Sequence, residues 1–435
     1  MAELLPRTYR LILKPGRDRS VRWRHPWIFS GSVGEAEALP EAAPGDLGEI
    51  YDHQGELLAV ATVNPASQIV GRVLDWTGAP INEDWLAARL QAAWNWRRAV
   101  LADDPVFRWV NGEGDGLPGL ILDHYAGFAV LQPAALIWSR LEEPLCRLVE
   151  AIGSVRGVID KTETAVRDPQ VAGEVRRLAG EEPPELLEIP EGGARLLVDL
   201  KSGQKTGLYL DQRANRLRLG RLAGGRRVLI PFAYTGGFGV QAALNGAERV
   251  VMIESSAAAL ELARRNWELN GLDPQRLSLI KADAWDELRR LDERFDLIIL
   301  DPPALAKSAR HLEGALRGYK DINLQALRRL APGGWLATFS CSQHVAPDAF
   351  RKAIFNASSD AGVRLQCVAR LGPGLDHPVA LDHPQGEYLK GWLLRPLRTE
   401  AGDGQAPPSR TPAKDAEEKG TEREPGKPFP GEPTP

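Results

Sequence analysis

The sequence contains very little cysteine: only three residues among 435, all far apart. Cys146, Cys341 and Cys367 show no C-x-x-C spacing, which excludes a disulfide framework and a zinc site, so no metal is expected. The chain also has no apolar run of transmembrane length, and its first residues lack the apolar core of a signal peptide. We therefore expect a cytoplasmic protein in a reducing compartment, with no membrane partner.

Composition and charge narrow the class of protein further. Hydrophobic residues make up 43% and charged residues 26%, as in soluble globular proteins, and the length indicates two or three domains. The net charge of -4 argues against non-specific binding of nucleic acid. However, residues 1–30 carry seven basic and two acidic side chains. A locally basic end suits an RNA-contacting module, and an ordinary solvated surface is an equal alternative.

The first part of the chain, residues 1–75, is predicted to form a small β-rich domain of short, turn-bounded strands. Arginines alternate with aromatic residues over residues 17–27. Arginine can follow phosphates while aromatic rings stack on unpaired bases. The candidate RNA contacts are Arg22, Arg24, His25 and Trp27. For Trp27, burial in the core of the barrel is the alternative.

Two further domains and a tail are predicted downstream. Residues 76–190 favour a central α+β unit, with helices over 82–101 and 137–152, a hairpin of 120–123 with 128–132, and a strand over 157–160. Residues 191–398 alternate strand and helix, as in a Rossmann-like α/β domain closed by a strand over 388–395. Residues 399–435 are acidic and proline-rich, which predicts disorder.

A cofactor site is predicted where the first strand of the α/β domain ends. The turn there, residues 232–239, lacks the third glycine of the G-x-G-x-x-G pattern, which argues against a dinucleotide. A zwitterionic ligand needs only glycines for close approach and helix amides for its carboxylate. Glu254 and Asp283 end the next two strands. There the Glu254 carboxylate could accept the hydroxyls of a ribose, and Asp283 could accept an adenine amino group. For Glu254, an acid that simply favours a helix start is the alternative. This ordered set favours S-adenosylmethionine, with expected contacts from Phe232, Tyr234, Gly236, Gly237, Glu254, Asp283 and Asp301.

The candidate catalytic residues follow two later strands of the same domain. A strand over 295–300 ends in Asp301 and two prolines, and a strand over 334–339 runs into Cys341. A thiolate that attacks carbon 6 of a pyrimidine makes carbon 5 nucleophilic, and a nearby acid assists at the ring nitrogen. Cys341 is therefore the candidate nucleophile and Asp301 the candidate acid. A buried, inert Cys341 is the alternative, and Cys146 and Cys367 are expected in the core.

Several ordered sequence blocks carry a resemblance to a known family. They are RHPWIFSG (24–31), GEGDGLPGLILD (112–123), KTGLYLDQR (205–213), FAYTGGFGV (232–240), DPPALAKS (301–308), RGYKDIN (317–323), FSCSQH (339–344), DHP (376–378) and EYLKG (387–391). With these blocks the chain resembles the bacterial 23S rRNA 5-methylcytosine methyltransferases that carry an amino-terminal PUA domain.

The resemblance implies a fold and a function. The fold is a multidomain α/β chain: a β-barrel-like PUA domain, a central α+β domain and a carboxy-terminal class I methyltransferase domain that binds S-adenosylmethionine. The implied substrate is 23S rRNA, or an assembly intermediate of the large subunit. Cys341 would be the nucleophile and Asp301 the acid, with Glu254 and Asp283 at the cofactor.

The chain departs from the family pattern in three places, of which one, Glu254 where aspartate is more usual, is a tolerable change. Ile230 and Pro231 stand where an acid or asparagine is common. Ala304 follows the prolines, where related RNA enzymes often carry a second cysteine that helps release the product. The base that removes the carbon 5 proton is therefore unassigned, with Asp301, Lys307 and water as candidates.

Three other functions are weighed against this interpretation. An amino-group methyltransferase would favour an aromatic residue after the prolines and has no use for Cys341. A catalytically inactive RNA-binding assembly factor has no need of these catalytic and cofactor residues, so their joint presence argues against it. The residues are Glu254, Asp283, Asp301 and Cys341. An NAD-dependent oxidoreductase conflicts with the glycine spacing. The oligomeric state is left open, a homodimer included.

Overall fold

The computed structural model describes residues 2–162, 175–306 and 308–397. Two sequence predictions therefore lie outside the described residues: the disorder of 399–435 and the candidate base Lys307. Within the described residues the strands form sheets of six, five, two and seven strands, in that order along the chain.

The first sheet contains all six strands of the amino-terminal domain, in the order β2-β6-β5-β4-β1-β3. Their bounds are β1 (Arg7–Leu13), β2 (Trp27–Phe29), β3 (Val33–Ala38), β4 (Leu47–Tyr51), β5 (Leu57–Val63) and β6 (Ile69–Asp75). A short helix, α1 (Arg19–Arg22), precedes β2. The sequence did not predict β3, because its residues VGEAEA are almost all exposed and consist mainly of glutamate, alanine and glycine, which are depleted in strands.

The central part of the chain builds a five-stranded sheet in the order β11-β10-β9-β8-β7, with helices packed against it. Its elements are α2 (Glu83–Leu101), β7 (Val106–Asn111), β8 (Leu120–Tyr125), β9 (Phe128–Pro133), α3 (Leu136–Arg140), α4 (Glu142–Gly153), β10 (Gly157–Asp160) and β11 (Arg176–Gly180). The predicted hairpin is present, since β8 and β9 pair antiparallel. The predicted helix over 137–152 is two helices, since Leu141 leaves helical geometry and Pro144 has no amide hydrogen to continue the bonding.

A single hydrophobic core joins these first two sheets. It combines Leu47 and Val60 of the amino-terminal sheet with Leu90 of α2 and with Phe107 and Trp109 of β7, all of them fully buried. Burying this much apolar surface between the sheets holds one against the other. The amino-terminal sheet is thus packed in a fixed position against the central sheet.

The last sheet has seven strands in the order β16-β15-β14-β17-β18-β20-β19. A hairpin of β12 (Leu187–Glu191) and β13 (Ala194–Val198), then α5 (Arg213–Gly220), precede it. Its elements are β14 (Arg227–Pro231), α6 (Gly237–Leu244), β15 (Arg249–Glu254), α7 (Ala257–Leu269), β16 (Leu277–Lys281), α8 (Ala284–Arg290), β17 (Phe295–Leu300), α9 (Leu312–Arg329), β18 (Leu330–Ser340), α10 (Pro347–Asp360), β19 (Leu365–Leu371) and β20 (Lys390–Pro396).

Strands β14 to β18 run parallel, as the strand–helix alternation predicts, and β20 runs antiparallel between β18 and β19. The strand predicted over 388–395 therefore does not close the sheet. The edge strand is β19, and its position explains why the prediction for Cys367 was wrong. Cys367 is exposed there instead of buried, while Cys146 is buried in α4 as predicted.

The register of β17 and β18 brings the two candidate catalytic residues to one edge of the sheet. Leu300 lies opposite Thr338, so Asp301 and Cys341 follow the carboxyl ends of adjacent parallel strands. The carboxyl ends of β14 and β15 reach the same edge, where ligands bind in open α/β sheets.

Candidate active site

The turn after β14 has an unusual backbone that shapes one end of the site. Phe232, Tyr234 and Gly236 have φ angles of 62°, 49° and 80°. Left-handed non-glycine residues persist only where their surroundings hold them. Here the Tyr234 hydroxyl accepts a hydrogen bond from the amide of Gln204 at 2.8 Å and lies 3.2 Å from the carbonyl of Gly207. A Cβ on Gly236 would lie 2.9 Å from that of Ala263, so glycine is required.

Two acids flank this turn, as predicted. Glu254 accepts hydrogen bonds from the amides of Tyr234 and Ser256, both at 2.9 Å, and stays partly exposed. A carboxylate has about four lone-pair sites, so Glu254 can also accept two ribose hydroxyls. Asp283 caps α8 through the amide of Trp285 at 2.8 Å and is exposed. The ring of Trp285 meets that of Phe232 edge-on at 5.9 Å, which supplies an apolar wall.

Cys341 and the turn that begins at Asp301 are in direct contact. The Cys341 sulfur lies 3.7 Å from the carbonyl oxygen of Pro302. Burial raises the pKa of the Cys341 thiol to about 12, and the negative charges of Asp301 and Asp211 add to the effect. Lys205 acts in the opposite direction. The thiol is therefore protonated before substrate binds and must lose its proton to become a nucleophile.

Asp301 is poised to give a proton near neutral pH. Burial raises the pKa of its carboxyl to about 7, and the charge of Asp211 raises it further, whereas Gln212 and Arg216 act in the opposite direction. A carboxyl with this pKa is about half protonated at pH 7. General acids work best when their pKa lies near the working pH.

Sequence reasoning missed the contribution of residues 205–213. Leu208 and Leu210 are buried in a core shared with β9 and β13, and this anchors the segment beside the strand ends. The adjacent Tyr209 and Asp211 interact electrostatically with Asp301 and Cys341, which are at least 90 residues away in the chain. The KTGLYLDQR block has many polar side chains in a short segment, which indicates a functional role. No local pattern, however, indicates which site these side chains belong to.

The backbone around Cys341 is held by its neighbours. The hydroxyl of Tyr319 hydrogen-bonds with those of Ser340 and Ser342, both at 2.9 Å. The amine of Lys390 donates to the carbonyl of Ser342 at 2.6 Å, and burial lowers the pKa of that amine to about 8. The two serines beside Cys341 therefore hold its strand end in place.

A cavity of about 390 Å³, within the usual size of small-ligand sites, is lined by Gln343, two residues after Cys341, while Cys341 and Asp301 are not among its lining residues. It lies between the amino-terminal sheet, the central sheet and residues 205–211. Its lining residues include Trp27, Arg108, Tyr209, Asp211 and Tyr388. Aromatic rings with a few polar groups suit a planar base.

Comparison with known proteins identifies the family. A PUA-like domain model matches residues 11–76, and an S-adenosylmethionine-dependent methyltransferase model matches residues 165–381. Ribosomal RNA large subunit methyltransferase I of Cronobacter sakazakii is 41% identical over 88% of this chain and 98% of its own. The protein of that name from Erwinia tasmaniensis is 42% identical over 89% of this chain and 99% of its own. The chain belongs to the ribosomal RNA large subunit methyltransferase I family.

Solved structures support the same fold for this family member. A putative methyltransferase from Streptococcus mutans has a TM-score of 0.77 at 21% identity, over 89% of this chain and 99% of its own. A putative methyltransferase complexed with SAH has a TM-score of 0.78 at 21% identity and the same coverage. The predicted fold class is confirmed, while the domain boundaries at 75, 190 and 398 stay predictions. S-adenosylmethionine is the cofactor, and the strained turn with its two acids fits it.

The predicted RNA-binding residues do not form one exposed surface in this methyltransferase. Arg22 is paired with Asp18 and Asp52 at 2.7 and 2.6 Å. Arg24 lies over the ring of Trp76. A ring nitrogen of His25 lies 3.2 Å from the side-chain oxygen of Gln385.

Trp27 is 8% exposed, and its indole donates to Glu113 at 2.7 Å, so it faces the cavity instead of open solvent. Trp23 is 63% exposed, and the guanidinium of Arg19 lies 3.9 Å from its ring centroid. In the part of the chain that the structure describes, no helix is both long and apolar enough to cross a membrane.

Proposed function

We propose that this methyltransferase modifies carbon 5 of a cytosine in 23S rRNA, free or in a large-subunit assembly intermediate, through a covalent bond to Cys341. The relatives are named for ribosomal RNA of the large subunit. The observation that carries the chemistry is the 3.7 Å contact between the Cys341 sulfur and the turn that begins at Asp301. This contact supports the proposal because it brings the candidate nucleophile next to the turn that carries the candidate proton donor.

The first step joins the enzyme to the base. The Cys341 thiol loses its proton to solvent, and its sulfur then bonds to carbon 6. The electron pair of the 5–6 double bond becomes the 4–5 double bond, the π pair of the bond between carbon 4 and nitrogen 3 moves to nitrogen 3, and nitrogen 3 takes the Asp301 proton. Desolvation by the bound base strengthens the hydrogen bond from Asp301. Lys205 and Lys390, the cations that interact with the Cys341 charge, offset the cost of forming a thiolate in a buried place.

The cofactor is held by the chain's own residues at the adjoining strand ends. Glu254 would accept the ribose hydroxyls, Asp283 the adenine amino group, and the turn with Gly236 would admit the amino acid part. When bound, S-adenosylmethionine supplies an electrophilic methyl group to carbon 5. Asp301 then recovers the proton from nitrogen 3, and the double bond between carbon 4 and nitrogen 3 forms again.

The test is incubation with S-adenosylmethionine labelled on its methyl group and with 23S rRNA, followed by nucleoside analysis. We expect label in 5-methylcytidine. Cys341→Ala should form none and should still bind S-adenosylhomocysteine, whereas Cys367→Ala, an exposed cysteine on the edge strand, should act as the wild type does. Label in an N-methylated nucleoside, or 5-methylcytidine from Cys341→Ala, would reject the proposal.

A further inference from the structure

We propose that Asp211 is the base that removes the carbon 5 proton and so releases the methylated RNA from Cys341. The inference rests on the proposed function and supplies the step that the sequence left unassigned. Asp211 belongs to the KTGLYLDQR segment. It is placed by the fold beside the two groups that act first on the base.

The hydrogen bonds of Asp211 leave one oxygen available. Its Oδ2 accepts a hydrogen bond from the hydroxyl of Tyr388 at 2.6 Å. Its Oδ1 is buried and has no hydrogen-bond partner among the described residues, and the residue as a whole is 8% exposed. An unpaired buried carboxylate oxygen is costly and persists in folded proteins for a reason, of which a catalytic role is a common one.

The surroundings of Asp211 point to the substrate base. The residue lines the 390 Å³ cavity together with Tyr209 and Tyr388. Gln343, two residues after Cys341, lines the same cavity, so this cavity adjoins the strand end that carries the nucleophile. The negative charge of Asp211 also raises the pKa of Cys341 and of Asp301, as expected of a carboxylate in their vicinity. A base bonded to Cys341 would therefore come within reach of Asp211.

A second proton acceptor is needed because two different protons move on one adduct. Asp301 gives a proton to nitrogen 3 and takes the same proton back, which leaves its net protonation unchanged. The hydrogen on carbon 5 is still present after the methyl group has been added. Its removal requires another acceptor within reach, and Asp211 is the buried carboxylate at that place.

The release step is balanced with the groups present. The Oδ1 of Asp211 takes the proton from carbon 5, and the electron pair of that carbon–hydrogen bond forms the 5–6 double bond. The bond between carbon 6 and the Cys341 sulfur breaks, and its electron pair leaves on the sulfur as thiolate. Asp211 later passes this proton to solvent, and the Cys341 thiolate takes one proton back from solvent, so the chain returns to its starting state.

The experiment is Asp211→Asn, an isosteric change that keeps the hydrogen bond with Tyr388 and removes the proton acceptor. With S-adenosylmethionine and 23S rRNA, the variant should accumulate a Cys341–RNA adduct that survives denaturing electrophoresis. Turnover should fall by roughly 10²- to 10⁴-fold, the usual worth of a general base. Asp211→Ser is made in parallel, so that accumulation does not depend on one substitution.

The control variants separate this role from the others. Asp301→Asn should slow adduct formation itself, and Asp211→Asn with Cys341→Ala should form no adduct. Asp296 lies at the start of β17, the strand that ends just before Asp301, and the Asp296→Asn variant should behave as the wild type does. Binding of S-adenosylhomocysteine, measured by the rise in Tm, should be retained in the Asp211, Cys341 and Asp296 variants.

Two results would overturn the assignment of Asp211. One is normal turnover in either Asp211 variant. The other is lost turnover with no adduct, because Asp211 would then act before the bond to Cys341 forms. Failure of the proposed function is recognised separately, since wild-type protein would then yield no 5-methylcytidine or Cys341→Ala would yield it.

Discussion

Replacement of Asp301 by asparagine should stabilise the fold at alkaline pH while it removes the proton donor. Burial holds the pKa of Asp301 at about 7 against an ordinary value of 3.8. Between these two values the folded chain binds a proton that the unfolded chain does not, so stability falls as the pH rises through this window. Above pH 7 the whole penalty is present, and below about pH 4 it is absent.

The magnitude follows from the pKa shift. About three pKa units at 1.36 kcal/mol each give an upper limit of about 4 kcal/mol. Asp301 is partly exposed, and solvent screening reduces this to about 2 kcal/mol. Asparagine carries no charge at either pH. Relative to the wild type, the variant should therefore gain about 2 kcal/mol at pH 8 and none at pH 4, a rise in Tm of about 3 °C.

The assay is thermal unfolding of the wild type and the variant at pH 4 and pH 8. The difference between the two shifts isolates the titration, because effects of the substitution that do not depend on pH cancel. Asp296→Asn serves as the matched control on the same strand and should show no such difference. Equal shifts at both pH values, or a larger gain at pH 4, would show that Asp301 has no raised pKa.

Three further predictions concern the thiol, the cofactor and the RNA. Peptide mapping should show that iodoacetamide labels Cys341 roughly 10³ times more slowly at pH 8 than an unperturbed thiol, with a labelling rate that rises tenfold per pH unit. Fast labelling of Cys341 at pH 7 would contradict its high pKa. Glu254→Gln should weaken S-adenosylhomocysteine about tenfold in calorimetry, since a charged hydrogen bond becomes neutral, whereas the exposed Glu261→Gln should not; equal affinities would remove Glu254 from the site. Trp23→Ala should weaken RNA binding by about 1–3 kcal/mol in a filter assay without changing cofactor affinity, and unchanged RNA affinity would reject a stacking role.

The sequence predicts the parts of this site that depend on strand ends. Asp301 and Cys341 follow buried apolar strands, and the carboxyl ends of neighbouring parallel strands meet at one edge of a sheet. The same rule brings Glu254 to the cofactor turn. These residues could be assigned because each one is fixed by a local pattern of strand, turn and helix.

The parts that depend on long-range packing could not be predicted. The charge of Asp211 acts on Cys341, 130 residues later, because Leu208 and Leu210 are buried in a core shared with β9 and β13 and hold this segment beside the strand ends. Trp27 faces the cavity because Glu113, 86 residues later, accepts its indole hydrogen. The exposure of Cys367 follows from β20 lying between β18 and β19, and strand order does not show in an apolar run.

The most direct test of the account traps the covalent bond itself. 23S rRNA that contains 5-fluorocytidine has no proton on carbon 5 to remove, so the adduct formed with S-adenosylmethionine cannot be released. Mass spectrometry of the digested complex should find the nucleotide on the peptide that contains Cys341, with a methyl group also present on the base. A methylated fluorocytidine on no cysteine, or attachment to Cys146 or Cys367, would contradict the central role of Cys341.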